Sequence, residues 1–253
     1  MILDDFSLKG KIAAVTGANT GLGQGMCIAL AQAGAKVCGV ARRSCEETAK
    51  LIEKDGGEFY EIIADLSDTS NAEVILEKVV EKYGRADILV NNAGIILRED
   101  AINVTEDDWN KVININLNMV FLLSQAFARQ YVKQGEGGKI VNVASMTSYQ
   151  GGIRIPAYTS SKSAVLGLTR ALANEWASKG INVNAIAPGY MATNNTTQLR
   201  DDEKRAGEIL ERIPAGRWGT PQDMAGAVVF LCSKAAEYVN GFTVAVDGGW
   251  LAR

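Results

Sequence analysis

Residues 11–23 read KIAAVTGANTGLG, an apolar run that passes into a turn with three glycines. Glycines between a strand and a helix let the backbone approach a pyrophosphate, and the free N–H groups of the first helical turn attract negative charge. The spacing G-x-x-x-G-x-G differs from the common dinucleotide motif G-x-G-x-x-G, so a glycine-rich turn without a ligand stays open as an alternative. We predict a strand, a ligand-binding turn and a helix in this order.

The rest of the chain continues this alternation of short apolar runs and longer helical patterns. Such alternation favours an α/β fold with a parallel sheet covered by helices on both faces. Strands are predicted over Lys11–Thr16, Lys36–Ala41, Glu58–Ile63, Ala86–Asn91, Gly138–Ala144, Ile181–Ala187 and Phe242–Val246. Helices are predicted over Leu22–Ala33, Ser44–Lys54, Ser70–Tyr83, Asp107–Arg129, Ala157–Ser178, Asp201–Arg212 and Pro221–Ser233. No linker or repeat divides residues 1–253, and we interpret them as a single domain.

Composition excludes several classes of function. The chain has 253 residues and no histidine, which excludes histidine-based catalytic triads and histidine-ligated metals. Its four cysteines lack the C-x-x-C spacing of metal or redox sites, so no metal ligands are predicted. A net charge of -3 does not favour nucleic-acid or membrane-surface binding. Few cysteines and an acidic start at Asp4 and Asp5 predict a cytoplasmic protein without a secretory leader.

The two longest predicted helices, Asp107–Arg129 and Ala157–Ser178, are apolar on more than one face. One face covers the sheet, and a second apolar face needs another partner. We therefore predict a subunit interface there, with complete burial inside one subunit as the alternative.

Three further motifs follow predicted strands or open a predicted helix. Asn91-Asn92-Ala93-Gly94 follows the fourth strand, and its amides can brace neighbouring backbone groups; an ordinary turn is the alternative. Ser145 follows the fifth strand, where a hydroxyl can polarise a carbonyl oxygen or simply cap a turn. Tyr158 and Lys162 stand four residues apart, so the ammonium is expected to lower the phenol pKa and make an acid/base group. These motifs meet at the carboxyl edge of a parallel sheet, where ligands bind.

The set TGxxxGxG, NNAG, Ser145, YxxxK and Pro188-Gly189, in this order, resembles the short-chain dehydrogenase/reductase family over the whole length. The resemblance implies a Rossmann-type doubly wound sheet of about seven strands that binds NAD(H) or NADP(H). It implies a catalytic set of Asn116, Ser145, Tyr158 and Lys162, in which Tyr158 is the acid/base; Asn114 is a weaker alternative to Asn116. It also implies a cofactor site made of Gly17, Asn19, Thr20, Gly21, Leu22, Gly23, Arg42, Asp65, Leu66, Asn92, Ala93, Gly94, Tyr158, Lys162, Pro188, Gly189, Met191 and Thr193.

A narrower similarity, over residues 98–101, 150–154, 187–195 and 247–253, is to family members that act on deoxy-keto sugar acids of pectin breakdown. It implies a homotetramer and a small sugar-acid substrate. A carboxylate calls for arginine, and we predict that Arg154 anchors it, with Arg98 as the other candidate. A solvated surface position is the alternative for each of the two arginines. The full set of substrate candidates is Arg98, Ser145, Gln150, Arg154, Tyr158 and Tyr190.

Three other functions stay open. Gluconate 5-dehydrogenases and 3-oxoacyl-carrier-protein reductases share the same machinery. A nicotinamide-binding sensor without turnover would be expected to lack a catalytic residue, whereas all four positions are filled here.

The end of the second strand bears on the choice between NAD(H) and NADP(H). An acid there would bind the ribose hydroxyls and repel a 2′-phosphate. This chain has Ala41 followed by Arg42 and Arg43. Charge therefore favours NADP(H), with Arg42 as the phosphate contact, and use of both cofactors stays open.

Overall fold

The computed structural model describes residues 1–253 and contains one parallel sheet of seven strands. The strands are β1 (Ile12–Thr16), β2 (Lys36–Ala41), β3 (Phe59–Ile63), β4 (Ile88–Asn91), β5 (Gly138–Val143), β6 (Ile181–Pro188) and β7 (Thr243–Val246). All seven predicted strands are confirmed, and their ends lie within two residues of the predicted ones. They are drawn from nearly the whole chain, which is consistent with a single domain; that interpretation stays a prediction.

The strand order is β3-β2-β1-β4-β5-β6-β7, so the chain reverses direction across the sheet between β1 and β4. The register pairs Val15 with Gly39 on one side and with Val90 on the other. In sheets of this type, ligands bind beyond the carboxyl ends of the strands at such a reversal. The predicted Rossmann-type, doubly wound architecture is therefore confirmed.

Helices cover both faces of the sheet. The helices of the chain are α1 (Gly21–Gln32), α2 (Glu46–Lys54), α3 (Asn71–Tyr83), α4 (Glu106–Ile113), α5 (Met119–Gln134), α6 (Pro156–Trp176), α7 (Thr197–Asp201), α8 (Glu203–Arg212) and α9 (Ala225–Cys232). None of them is long and apolar enough to span a bilayer.

Each face of the sheet has its own hydrophobic core, because successive strand side chains point to opposite faces. Ala14 lies in the core that α3, α5 and α6 complete, together with Phe127 and Leu172. Its neighbours Ala13 and Val15 lie in the core that α1 and α9 complete. Burial on both faces explains why β1 is apolar at nearly every position.

The predicted helix Asp107–Arg129 is observed as a continuous helical stretch that contains one irregular turn. Residues Asn114–Asn118 form a π-helical turn between α4 and α5. Single π turns widen a helix locally and are frequent at functional sites. Here the widened turn holds Asn116, whose side chain bonds to the backbone of Ile95.

Candidate active site

Two adjoining cavities open at the carboxyl edge of the sheet, and both are lined by Ser145 and Tyr158. The first has a volume of about 350 Å³, and we call it the cofactor cleft. The second, of about 330 Å³, is the substrate cavity. The cleft brings together most of the predicted cofactor residues, namely Gly17, Asn19, Thr20, Gly21, Leu22, Gly23, Asn92, Ala93, Gly94, Tyr158, Lys162, Pro188, Gly189, Met191 and Thr193.

The glycine turn packs so closely that side chains would not fit. A Cβ on Gly23 would lie 2.1 Å from the backbone oxygen of Gly17. Gly17 and Gly21 have φ angles of 69° and 58°, a left-handed conformation that glycine adopts without strain. The turn therefore brings bare backbone and the amino end of α1 to the cleft, a suitable environment for a pyrophosphate.

The predicted bracing of backbone groups is confirmed for Asn92, whereas Asn91 bonds to side chains instead. Asn92 Nδ2 donates to the backbone oxygen of Thr16 at 2.8 Å. The Thr16 hydroxyl accepts from the backbone N–H groups of Asn92 and Ala93, both at 3.0 Å. Asn91 Nδ2 donates to Asn142 Oδ1 at 2.9 Å and so links β4 to β5. The loop after β4 is thereby fixed against the glycine turn.

Of the two arginines that follow β2, the one that lines the cofactor cleft is not the one expected from the sequence. Arg43 lines the cofactor cleft, whereas Arg42, Asp65 and Leu66 are outside its lining. Two hydrogen bonds from Ser67 and, more weakly, the Arg42 charge lower the pKa of Asp65. Both arginines follow the last residue of β2, and no local pattern in the sequence distinguishes them.

The Tyr158–Lys162 pair lies on one face of α6, as its spacing predicts. Lys162 Nζ is 5.8 Å from the centre of the Tyr158 ring and donates to the backbone oxygen of Val143 at 2.6 Å. Lys162 is only 4% exposed, and this burial lowers its pKa to about 8.

The expected lowering of the Tyr158 pKa by Lys162 is wrong. Burial raises the pKa of Tyr158, because a phenolate loses hydration there. The Ser145 hydroxyl and the Arg98 charge act in the opposite direction but do not reverse the shift. The Lys162 ammonium is directed at Val143 and does not offset the burial. Tyr158 is therefore a protonated donor at neutral pH.

The Ser145 hydroxyl caps a helical turn and can also donate a hydrogen bond. Its Oγ accepts from the backbone N–H of Thr147 at 3.1 Å and so caps the short helical turn Met146–Ser148. A hydroxyl that accepts one hydrogen bond still has its own proton to donate. Both interpretations of Ser145 from the sequence are thus compatible, and the residue lines both cavities.

Asn116 is fully buried behind the pair, and all its polar atoms are engaged. Its Oδ1 accepts from the Ile95 N–H, and its Nδ2 donates to the Ile95 oxygen, both at 2.9 Å. Nδ2 also lies 3.2 Å from Ser161 Oγ, which in turn donates to the Tyr158 backbone oxygen. The alternative, Asn114, instead donates to the Ser67 backbone oxygen.

The substrate cavity contains most of the predicted substrate residues, namely Arg98, Ser145, Gln150, Tyr158 and Tyr190. Arg154 is an exception, since its side chain is 55% exposed and its Nε lies 2.9 Å from Asp100 Oδ1. The hypothesis that Arg154 anchors a carboxylate therefore finds no support in this arrangement. The reason is local, because Asp100 and Glu99 satisfy its charge outside the cavity.

Several cavity residues were missed from the sequence. Thr147, Arg205, Arg212 and Trp250 all line the cavity. Arg205 and Arg212 are seven residues apart on α8 and so share a face, which was the available signal. Trp250 belongs to residues 247–253, which carry the narrower similarity, but no helical or strand spacing predicted that it lines the cavity.

Comparisons with known proteins agree with this geometry. The family model described as Enoyl-(Acyl carrier protein) reductase matches residues 17–251. The 2-dehydro-3-deoxy-D-gluconate 5-dehydrogenases of Dickeya dadantii (strain 3937) and Escherichia coli (strain K12) are 60% and 58% identical to this chain over 253 residues, covering 100% of both chains in each comparison. A solved Agrobacterium tumefaciens structure with bound NADP is 54% identical, with a TM-score of 0.94, and covers 99% of this chain and 100% of its own. Identity at this level over the full length shows that this chain belongs to the short-chain dehydrogenase/reductase family.

Proposed function

We propose that this enzyme interconverts a hydroxyl and a keto group on a deoxy-keto sugar acid. The proposed pair is 2-dehydro-3-deoxy-D-gluconate and 3-deoxy-D-glycero-2,5-hexodiulosonate, with a nicotinamide dinucleotide as cofactor. The name of the Dickeya and Escherichia relatives supports this choice, since both are 5-dehydrogenases of that sugar acid.

The observation that carries the proposal is an excess of cations beside Tyr158. Arg205 is paired with Glu208 at 3.0 Å. Arg98 donates only to the backbone oxygen of Asn195, and Arg212 lies over the Trp250 ring. Two cavity arginines are thus left without a carboxylate partner. A planar guanidinium is well matched to a substrate carboxylate.

The residues of the chain divide the proton chemistry between them. When bound, the nicotinamide dinucleotide supplies or accepts the hydride. The Tyr158 hydroxyl gives a proton to the substrate oxygen in reduction and takes it back in oxidation. The Ser145 hydroxyl donates a hydrogen bond to the same oxygen and stabilises its developing charge. Lys162, with a pKa of about 8, can hold or release a proton at Nζ beside Tyr158 near neutral pH.

We infer a preference for NADP(H), because Arg43 faces the cleft beyond β2 and no acid stands at Ala41. The bound NADP in the Agrobacterium structure supports this inference. Arg43 takes the place of Arg42 as the proposed partner of a 2′-phosphate.

We also infer self-association as a homotetramer. Phe121 on α5 is 37% exposed and lines a surface groove with Leu122 and Leu168. An exposed apolar groove between α5 and α6 supports a second copy as its partner.

We further infer a cytoplasmic location, since all four cysteines are free thiols.

The proposed function is tested with a spectrophotometric panel of substrates and both cofactors. We expect the highest kcat/KM with 2-dehydro-3-deoxy-D-gluconate and NADP+. The panel includes gluconate with the oxidised cofactors and a 3-oxoacyl thioester with the reduced cofactors, which represent the other two activities. A higher kcat/KM for either of these, or a strong preference for NAD+, would overturn the corresponding part of the proposal.

We assign the carboxylate anchor to Arg98, and a matched pair of variants tests this. Arg98→Met is expected to raise KM for the sugar acid roughly 10- to 100-fold, because a charged hydrogen bond is lost. Arg154→Met removes an equal charge from outside the cavity and is expected to change KM less than twofold. Equal effects of the two substitutions on KM would contradict the assignment.

The raised pKa of Tyr158 predicts opposite pH dependences for the two directions. Oxidation needs the phenolate, so its kcat/KM is expected to rise as the pH increases from neutral toward the Tyr158 pKa. Reduction needs the protonated phenol, so its kcat/KM is expected to fall only as that pKa is passed. Initial rates over a pH series check both; an oxidation rate that falls between neutral and mildly alkaline pH would contradict this role.

A further inference from the structure

Gln150 and Trp250 form a hydrogen-bonded pair in the wall of the substrate cavity. Trp250 belongs to the short carboxyl-terminal helical turn Trp250–Ala252 and is 5% exposed. Its Nε1 donates to Gln150 Oε1 at 2.9 Å, across 100 residues of sequence. Both residues line the cavity that contains Ser145 and Tyr158.

This hydrogen bond fixes the orientation of the Gln150 amide. An indole N–H can only donate, so the amide must direct its carbonyl oxygen toward Trp250. The Nε2 group is then left at the other end of the amide, and it makes no hydrogen bond within the protein. Gln150 thus lines the cavity and carries a donor whose protons have no partner in the chain.

The indole ring is itself held on several sides. The Tyr190 ring packs edge-on against it, with centroids 4.9 Å apart, and the Arg212 guanidinium lies 4.1 Å from its centre. The backbone N–H groups of Gly249 and Leu251 both donate to the Asp247 carboxylate at 2.9 Å. These contacts fix the position of the N–H that orients Gln150.

We propose that Gln150 Nε2 donates to a hydroxyl or carbonyl oxygen of the substrate, and that Trp250 is a positioning residue that selects this end of the amide. The inference rests on the proposed function, since a sugar acid carries several oxygens besides its carboxylate and its reacting group. A substrate that lacks the matching oxygen leaves the donor unpaired and is bound more weakly. The pair thus determines specificity for polyhydroxylated acids.

The test is a double-mutant cycle of Gln150→Met and Trp250→Phe in the full-length enzyme. Gln150→Met is expected to raise KM for 2-dehydro-3-deoxy-D-gluconate about tenfold and to change kcat much less, because one hydrogen bond to substrate is lost. Trp250→Phe keeps an aromatic ring but frees the amide to turn over, and we expect KM to rise about threefold. The double variant is expected to match Gln150→Met, because phenylalanine keeps a ring beside Arg212 and Trp250→Phe removes only the hydrogen bond to Gln150.

Trp218→Phe is the matched control. Trp218 also packs edge-on against Tyr190, with centroids 5.4 Å apart, but does not line the cavity. We expect its KM to stay within twofold of the wild-type value. Effects of Gln150→Met and Trp250→Phe that multiply in the double variant, or an equal rise of KM in Trp218→Phe, would overturn the positioning role.

A substrate-independent readout is the Trp250 indole N–H signal in ¹⁵N-labelled protein, identified by its loss in Trp250→Phe. We expect Gln150→Met to shift this signal toward the position of an indole without a hydrogen bond, and an unshifted signal would overturn the pairing. Absence of wild-type turnover of the sugar acid would refute the proposed function and the substrate contact with it. Normal wild-type turnover with an unchanged KM in Gln150→Met would refute this inference alone.

Discussion

Tyr158→Phe is expected to lower kcat by roughly 10³-fold, because general acid catalysis of this kind contributes about 10² to 10⁴ in rate. The phenol is the proposed proton donor and lines both cavities, and burial keeps it protonated at neutral pH. The substitution removes one oxygen and leaves the ring in place. Binding of the dinucleotide, measured by titration calorimetry, is therefore expected to stay within about threefold of the wild-type affinity.

The matched control is Tyr149→Phe. Tyr149 is 49% exposed and lines neither cavity, so the same chemical change there is expected to leave kcat within twofold. Substantial turnover in Tyr158→Phe, or a comparable loss in Tyr149→Phe, would remove Tyr158 from the centre of the mechanism.

Ser145→Ala is expected to lower kcat by roughly 10²-fold, the usual cost of losing one preorganised donor to a developing oxyanion. The hydroxyl also caps the turn Met146–Ser148 through the Thr147 N–H. Loss of that cap is expected to reduce the free energy of unfolding by about 1 kcal/mol. Steady-state kinetics and urea denaturation measure the two effects separately.

Ser163→Ala serves as the comparison, because Ser163 is an exposed serine on α6 outside both cavities. We expect it to retain wild-type kcat. A Ser145→Ala enzyme that loses stability but keeps its kcat would mean that Ser145 has only the capping role.

The fold could be predicted almost completely from the sequence. Runs such as Ile12-Ala13-Ala14-Val15 are apolar at successive positions because both faces of the strand are buried. The position of the site follows from the same logic, since Gly17, Asn92, Ser145 and Gly189 each follow a parallel strand. Local pattern and global fold agree here, which makes such predictions dependable.

The remaining features depend on contacts that no local pattern contains. The π turn at Asn114–Asn118 depends on how Asn116 bonds to Ile95, twenty-one positions earlier. The prediction for Arg154 rests on its position between Ser145 and Tyr158, whereas the nearby Asp100 carboxylate pairs with its guanidinium outside the cavity.

The pKa shifts in the site could not be predicted from sequence spacing either. The four-residue separation of Tyr158 and Lys162 predicts proximity, which the structure confirms at 5.8 Å. It says nothing of hydration or of the direction of the ammonium. Burial raises the phenol pKa and lowers that of Lys162, so both shifts follow from desolvation.

The most direct test of the proposed chemistry follows one hydrogen atom. 2-Dehydro-3-deoxy-D-gluconate carrying deuterium on C5 is oxidised by the purified enzyme with NADP+, and the reduced cofactor is analysed by mass spectrometry. We predict one deuterium on the nicotinamide ring for each substrate oxidised, none of it lost to water. Oxidation without label on the ring, or no oxidation of this acid at all, would contradict the account.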